Sequence, residues 1–164
     1  MAKFVLALVL ICAALLQFPG AVAEAAGPPV AGCGTFSAAS PMVVESRVVG
    51  GNTIITDVVA GSLTGLFSGP IVAERRIVLH PNGTITGQAL ETFTGSVAAP
   101  TGGQAGGLVF RLVFTGDAAA GTFSGSFIIL SGTGGLANLH GHGTFDGSLI
   151  TGAGTYCGQV VGVS

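Results

Sequence analysis

The sequence specifies an all-β chain that closes into an antiparallel β-barrel of about eight strands, and three observations lead there. Apolar residues recur with a period of two rather than 3.6. The 29 glycines cluster between and within these alternating runs. Two cysteines, Cys33 and Cys157, stand near opposite ends of the patterned region. Composition excludes other classes. With 49% hydrophobic and only 7% charged residues, the chain is neither disordered nor a charged amphipathic helical protein.

Residues 1–23 read as a secretory signal peptide, with Lys3 as the positive end, an apolar stretch from Phe4 to Phe18, a Pro19-Gly20 break and the small-residue cleavage site Ala21-Val22-Ala23. The apolar stretch is shorter than the roughly 20 residues of a bilayer-spanning helix, so no stable membrane anchor is expected. Cys12 follows Ile11 inside that stretch, which does not fit a lipidated cysteine. Export removes the sole lysine and leaves Arg47, Arg75, Arg76 and Arg111 against 7 acidic residues. An acidic balance of this kind does not attract nucleic acid. The expected location is secreted or extracellular, meaning the periplasm or cell surface if there is an outer membrane. An even cysteine pair in an exported chain then implies a Cys33–Cys157 disulfide.

Residues 24–32 (Glu-Ala-Ala-Gly-Pro-Pro-Val-Ala-Gly) read as a flexible leader, and residues 33–164 as one barrel domain. Within it, Met42–Val49, 53–59, 71–79 and Thr84–Val97 are rich in Val, Ile, Thr and Phe, and Gly-Gly, Ser-Gly-Pro and Pro-Asn-Gly separate them. Along 108–115, Leu108, Phe110, Leu112 and Phe114 share one face; along 122–130, Phe123, Phe127 and Ile129 do so. The clearest hairpin turns at His80-Pro81-Asn82-Gly83, where Pro suits the first central turn position and Gly83 the left-handed one. That turn pairs Leu79 with Ile85, Ile77 with Gly87, Arg75 with Ala89 and Ala73 with Glu91, making Arg75 and Glu91 diagonal neighbours on the apolar face.

Four phrases repeat an inward apolar residue followed two positions later by Gly: Ile85/Gly87, Phe93/Gly95, Phe123/Gly125 and Phe145/Gly147. Their spacing is uneven, which excludes a solenoid. Core-face glycines mark the bends that a small closed barrel needs. An immunoglobulin-like sandwich is disfavoured because the chain has no Trp and its cysteines lie too far apart in sequence.

Three phrases carry a family resemblance: Leu79-His80-Pro81-Asn82-Gly83-Thr84, Leu90-Glu91-Thr92-Phe93-Thr94-Gly95, and the Gly132-Thr133-Gly134-Gly135-Leu136 run that ends in Gly143-Thr144-Phe145. Through them, roughly residues 61–147 resemble the small bacterial barrel proteins of unknown function that share the allene oxide cyclase-like (dirigent-like) fold. The resemblance implies that fold and places Glu91 on the acidic residue of the family's Glu-x-Phe-x-Gly phrase. It implies no reaction. This chain departs from the pattern in its export signal, its cysteine pair and Val113-Phe114, where relatives often carry Gln-His.

Arg75 and Glu91, with Phe110, Phe114 and Phe127 facing the same interior, form the expected ligand-binding set. The pair could bind the polar head of an apolar molecule, or satisfy itself as an internal ion pair. No catalytic residue is assigned and no cofactor is expected. His140, His142 and Asp146 share one strand face, but Leu139 and Phe145 occupy the other, so the histidines are expected in solvent and no metal is assigned. His80 is expected as a solvated turn residue. Asn82-Gly83-Thr84 is a formal glycosylation sequon whose simpler reading is the turn itself. The Gly132–Ala137 run lacks a strand-turn-helix context for a dinucleotide, and no Gly-x-Ser-x-Gly elbow occurs. The expected function is therefore a non-enzymatic binding or structural module for a small apolar ligand. The alternative is an isomerase or cyclase, with Glu91 as acid/base and Arg75 anchoring a carboxylate.

Overall fold

The computed structural model describes residues 27–98 and 104–162, so the expected signal peptide lies outside the described residues. Nine strands follow one another in the order β1 (Val30–Ala38), β2 (Met42–Val49), β3 (Asn52–Gly65), β4 (Phe67–Leu79), β5 (Thr84–Val97), β6 (Ala105–Asp117), β7 (Thr122–Gly134), β8 (Leu139–Ser148) and β9 (Ala153–Gly162). All pairings are antiparallel, and each of β3 to β8 pairs with its successor. β1 closes the ring by pairing with β9 on one side and with Gly61–Gly65 of β3 on the other. The result is a closed eight-stranded barrel, as the sequence implies, with one extra strand that it does not. The extra strand is β2, which continues along the same edge of β3 beyond β1 and is solvent-exposed throughout.

The hairpin register matches the one expected: Leu79 faces Ile85, Ile77 faces Gly87, Arg75 faces Ala89 and Ala73 faces Glu91. The Gly83 amide donates to the His80 carbonyl at 2.9 Å, and Gly83 takes a φ of 84°. Two details differ from expectation. Ser68-Gly69-Pro70 is not a separator but part of β4, because the real reversal lies at Gly65-Leu66, where Gly65 has a φ of 99° and a Cβ would strike the Cys33 carbonyl. β1 also begins at Val30, inside the stretch expected as leader, since Val30 to Gly32 pair with Val160 to Gly158.

The inward glycines have a clear steric role. A Cβ at Gly87 would strike the ring of Phe114, and one at Gly143 would strike both the Phe127 ring and the Cys157 carbonyl. Each ring therefore lies over a neighbouring strand's backbone, which lets nine bulky aromatic side chains share a narrow interior. Cys33 and Cys157 face each other across β1 and β9 and are disulfide-bonded, stapling the first strand to the last on the barrel's outer surface.

The two ends of the barrel differ. At the end bearing the β3–β4 and β7–β8 connections, Phe67, Phe93, Val97, Leu108, Leu136, Leu139 and Val160 are buried almost completely. Tyr156 fixes this floor: its hydroxyl accepts from the Phe67 amide at 2.9 Å and lies 3.0 Å from the Thr64 carbonyl. At the other end, the turns are linked by backbone bonds from Ala118 to Gly83, from Leu149 to Gly121 and from Ala38 to Gly152. His80 joins this ring, contacting Asn52 at 3.0 Å and Thr86 at 3.2 Å, so it is a bridging group rather than a freely solvated one.

Candidate ligand-binding site

Between floor and mouth lies a cavity of about 400 Å³. It arises because the inward row across β3 to β6 reads Val59, Ala73, Glu91, Phe110, and the next row toward the mouth reads Asp57, Arg75, Ala89, Leu112. Two alanines occupy positions where larger side chains would fill the space. The lower boundary is aromatic: Phe67 packs against Phe110 at a centroid distance of 5.2 Å, Tyr156 at 5.7 Å and Phe127 at 6.1 Å. The upper wall includes Phe114, which contacts Phe123, and Phe123 in turn contacts Phe36 and Phe145. Ile77, Leu79, Ile85, Phe114 and Phe123 are only half-buried, which marks the cavity as open at this end.

All five residues expected to bind ligand line this cavity: Arg75, Glu91, Phe110, Phe114 and Phe127. The expected pairing within the set is corrected. Arg75 donates from Nε to Asp57 Oδ1 and from Nη2 to Asp57 Oδ2, both at 2.8 Å, and Asp57 is only 3% exposed. Asp57 lies directly across from Arg75 on β3, whereas Glu91 is diagonal to it on β5; the in-plane fork of a guanidinium meets the directly opposed carboxylate better. Sequence reading missed Asp57 because the partner of β4 on its other side depends on the Gly65 turn. The available signal was alternation, since Thr53, Ile55, Asp57 and Val59 fall on one strand face.

Glu91 is consequently left without a hydrogen-bond or ion-pair partner among the described residues, although only 9% of it is exposed. Burial among apolar neighbours disfavours its ionised form and raises its pKa from 4.5 to about 7. A carboxyl in this state exchanges a proton near neutral pH and offers either an acceptor or a donor to whatever enters the cavity. Burial also raises the Tyr156 hydroxyl, whose hydrogen bonds are already committed to the floor.

The remaining candidates lie elsewhere. His140, His142 and Asp146 project from the outer face of β8, where Asp146 accepts from Thr155 at 3.3 Å. Asn82 sits in the exposed turn and accepts the Thr84 amide. Among the described residues no group of three His, Cys, Asp or Glu is arranged to hold a metal.

No family model and no curated protein matches the chain. Among solved structures it is similar to a protein of unknown function from the DUF3224 family of Shewanella oneidensis, with a TM-score of 0.64 and 18% sequence identity, covering 81% of this chain and 97% of that one. At that identity the likeness bears on architecture alone, and the architecture it supports is the closed eight-stranded antiparallel barrel.

Proposed function

We propose that this protein is an exported, disulfide-closed barrel that binds a small, mainly apolar molecule without transforming it. The observation that carries this reading is the cavity of about 400 Å³, apolar in its walls, with one carboxyl, Glu91, that has no partner among the described residues. Such a combination, an apolar space with few convergent polar groups, is the usual character of a small-molecule site. The Cys33–Cys157 disulfide is consistent with an extracellular or periplasmic location. Titration with the neutral fluorophore N-phenyl-1-naphthylamine tests the reading. Saturable one-site enhancement is expected, and Ala73→Leu, which fills the space beside Glu91, should weaken it about tenfold or more while circular dichroism stays unchanged. Absence of saturable enhancement would leave a purely structural module.

One observation favours a second reading. Glu91 is reachable from the cavity and has a pKa of about 7, as an acid/base group in an isomerase or cyclase requires. The allene oxide cyclase-like resemblance of the sequence belongs to this reading. Arg75 supports it less, since its charge is already matched by Asp57. Turnover of a copurified ligand that vanishes in Glu91→Gln would favour this alternative; unchanged turnover would remove it.

A further inference from the structure

The cavity contains an imbalance that its lining does not resolve. Among the described residues, three ionisable side chains other than Tyr156 face it: Asp57 from β3, Arg75 from β4 and Glu91 from β5. Asp57 and Arg75 cancel in a two-pronged pair at 2.8 Å and 2.8 Å. The elements that complete the wall around Glu91 add no charge: β6 supplies Phe110 and Leu112, and β7 supplies Phe127. Tyr156 of β9 has its hydroxyl engaged by Phe67 and Thr64. The three histidines are at the rim or on the outer face, and the chain's sole lysine, Lys3, lies outside the described residues. Among the described residues, the interior therefore holds one acceptor group in excess and no cation left over to match it.

Deepening the binding reading above and resting on it, we propose that the ligand is an apolar molecule bearing a basic amine, whose ammonium group pairs with Glu91 while its hydrocarbon body fills the space beside Ala73 and Ala89. An ammonium supplies both the missing positive charge and the missing donor in a site of low polarity, where each counts for more than in water. A carboxylate ligand would instead meet Glu91 as a like charge, with the guanidinium of Arg75 already committed. The neighbouring aromatic residues suit a cation as well: Phe110 is the direct cross-strand neighbour of Glu91, and its ring stands 5.7 Å from that of Phe127. Burial raises the Glu91 pKa, and pairing with an ammonium would pull it back down, so amine binding should release a proton near neutral pH.

Isothermal titration calorimetry with three probes of one chain length, n-decylamine, decanoate and 1-decanol, tests this on the protein purified with its disulfide formed. At about pH 8, where Glu91 is mostly ionised and the amine is still protonated, decylamine should bind at least about tenfold more tightly than either other probe. Its affinity should fall several-fold at about pH 5.5. Glu91→Gln keeps the side chain's volume while removing its charge, and should bind decylamine and decanol equally; Ala73→Leu should weaken all three probes. If decanoate or decanol binds the wild type as tightly as decylamine does, or if Glu91→Gln retains the amine preference, the amine assignment is overturned while the binding reading stands. If none of the three shows saturable binding, the binding reading itself fails.

Discussion

The Glu91 carboxyl is held protonated by its surroundings over part of the ordinary pH range, and this has a direct consequence for stability. Its folded-state pKa of about 7 lies above the unfolded value of 4.5, so between those values the folded chain binds more protons than the unfolded one. Stability should therefore be highest below about pH 4.5 as far as this group is concerned, decline as pH rises through that window, and be lower by on the order of 3 kcal/mol above about pH 7. Urea unfolding of the unliganded protein at about pH 5 and about pH 8 should show that decline, and Glu91→Gln should abolish it; an equal slope in both proteins would mean that another group sets it. Asp57 presents the opposite case, a buried carboxylate that is fully paired. Asp57→Asn leaves the Arg75 guanidinium only partly solvated and should cost about 3 kcal/mol. Replacing both members by apolar residues, Asp57→Leu with Arg75→Met, should cost less than Asp57→Asn alone in the same unfolding assay.

Strand pairing explains why the inward positions alternate between rings and glycines. At Gly143 a methyl group would meet both the Phe127 ring and the backbone carbonyl of Cys157, and the carbonyl cannot move without disturbing the β8–β9 ladder. At Gly87 the obstruction comes from the Phe114 ring, which can swing toward the cavity. Gly143→Ala should accordingly destabilise by about 2–3 kcal/mol and Gly87→Ala by less, with Gly87→Ala also reducing fluorophore affinity as Phe114 intrudes. A larger loss from Gly87→Ala would contradict this ordering. These pairings were legible in the sequence where a turn set the register locally. The Pro81-Asn82-Gly83 turn fixed β4 against β5 correctly, because its chemistry dictates its own geometry. The pairing of β3 with β4 was hidden: Ser68-Gly69-Pro70 has turn composition yet lies inside a strand, and with that pairing went the Asp57–Arg75 contact.

Closure of the barrel rests on β1, which meets β9 along most of its length and β3 over five residues, with the disulfide fastening the β1–β9 seam. Cys33 and Cys157 are 124 residues apart in sequence, so breaking the bond frees a long loop in the unfolded chain. Cys33→Ser with Cys157→Ser should lower stability by about 2–5 kcal/mol, measured by urea unfolding, and an unchanged midpoint would show that strand pairing alone holds the seam. The overall architecture was readable because alternation, turn residues and the paired cysteines each act locally or at fixed points. The cavity was not, since its volume depends on how eight strands curve together and on Ala73 and Ala89 falling in adjacent rows beside Glu91. Sequence reading could place Glu91 inside but could not show that Arg75 would turn away from it. Whether that carboxyl stands unpaired among apolar walls can be measured by following its side-chain carbon by ¹³C NMR from about pH 4 to about pH 9. A midpoint near 7 is the value this structure predicts; a midpoint near the ordinary 4.5 would show a hydrated or ion-paired group and contradict the site built around it.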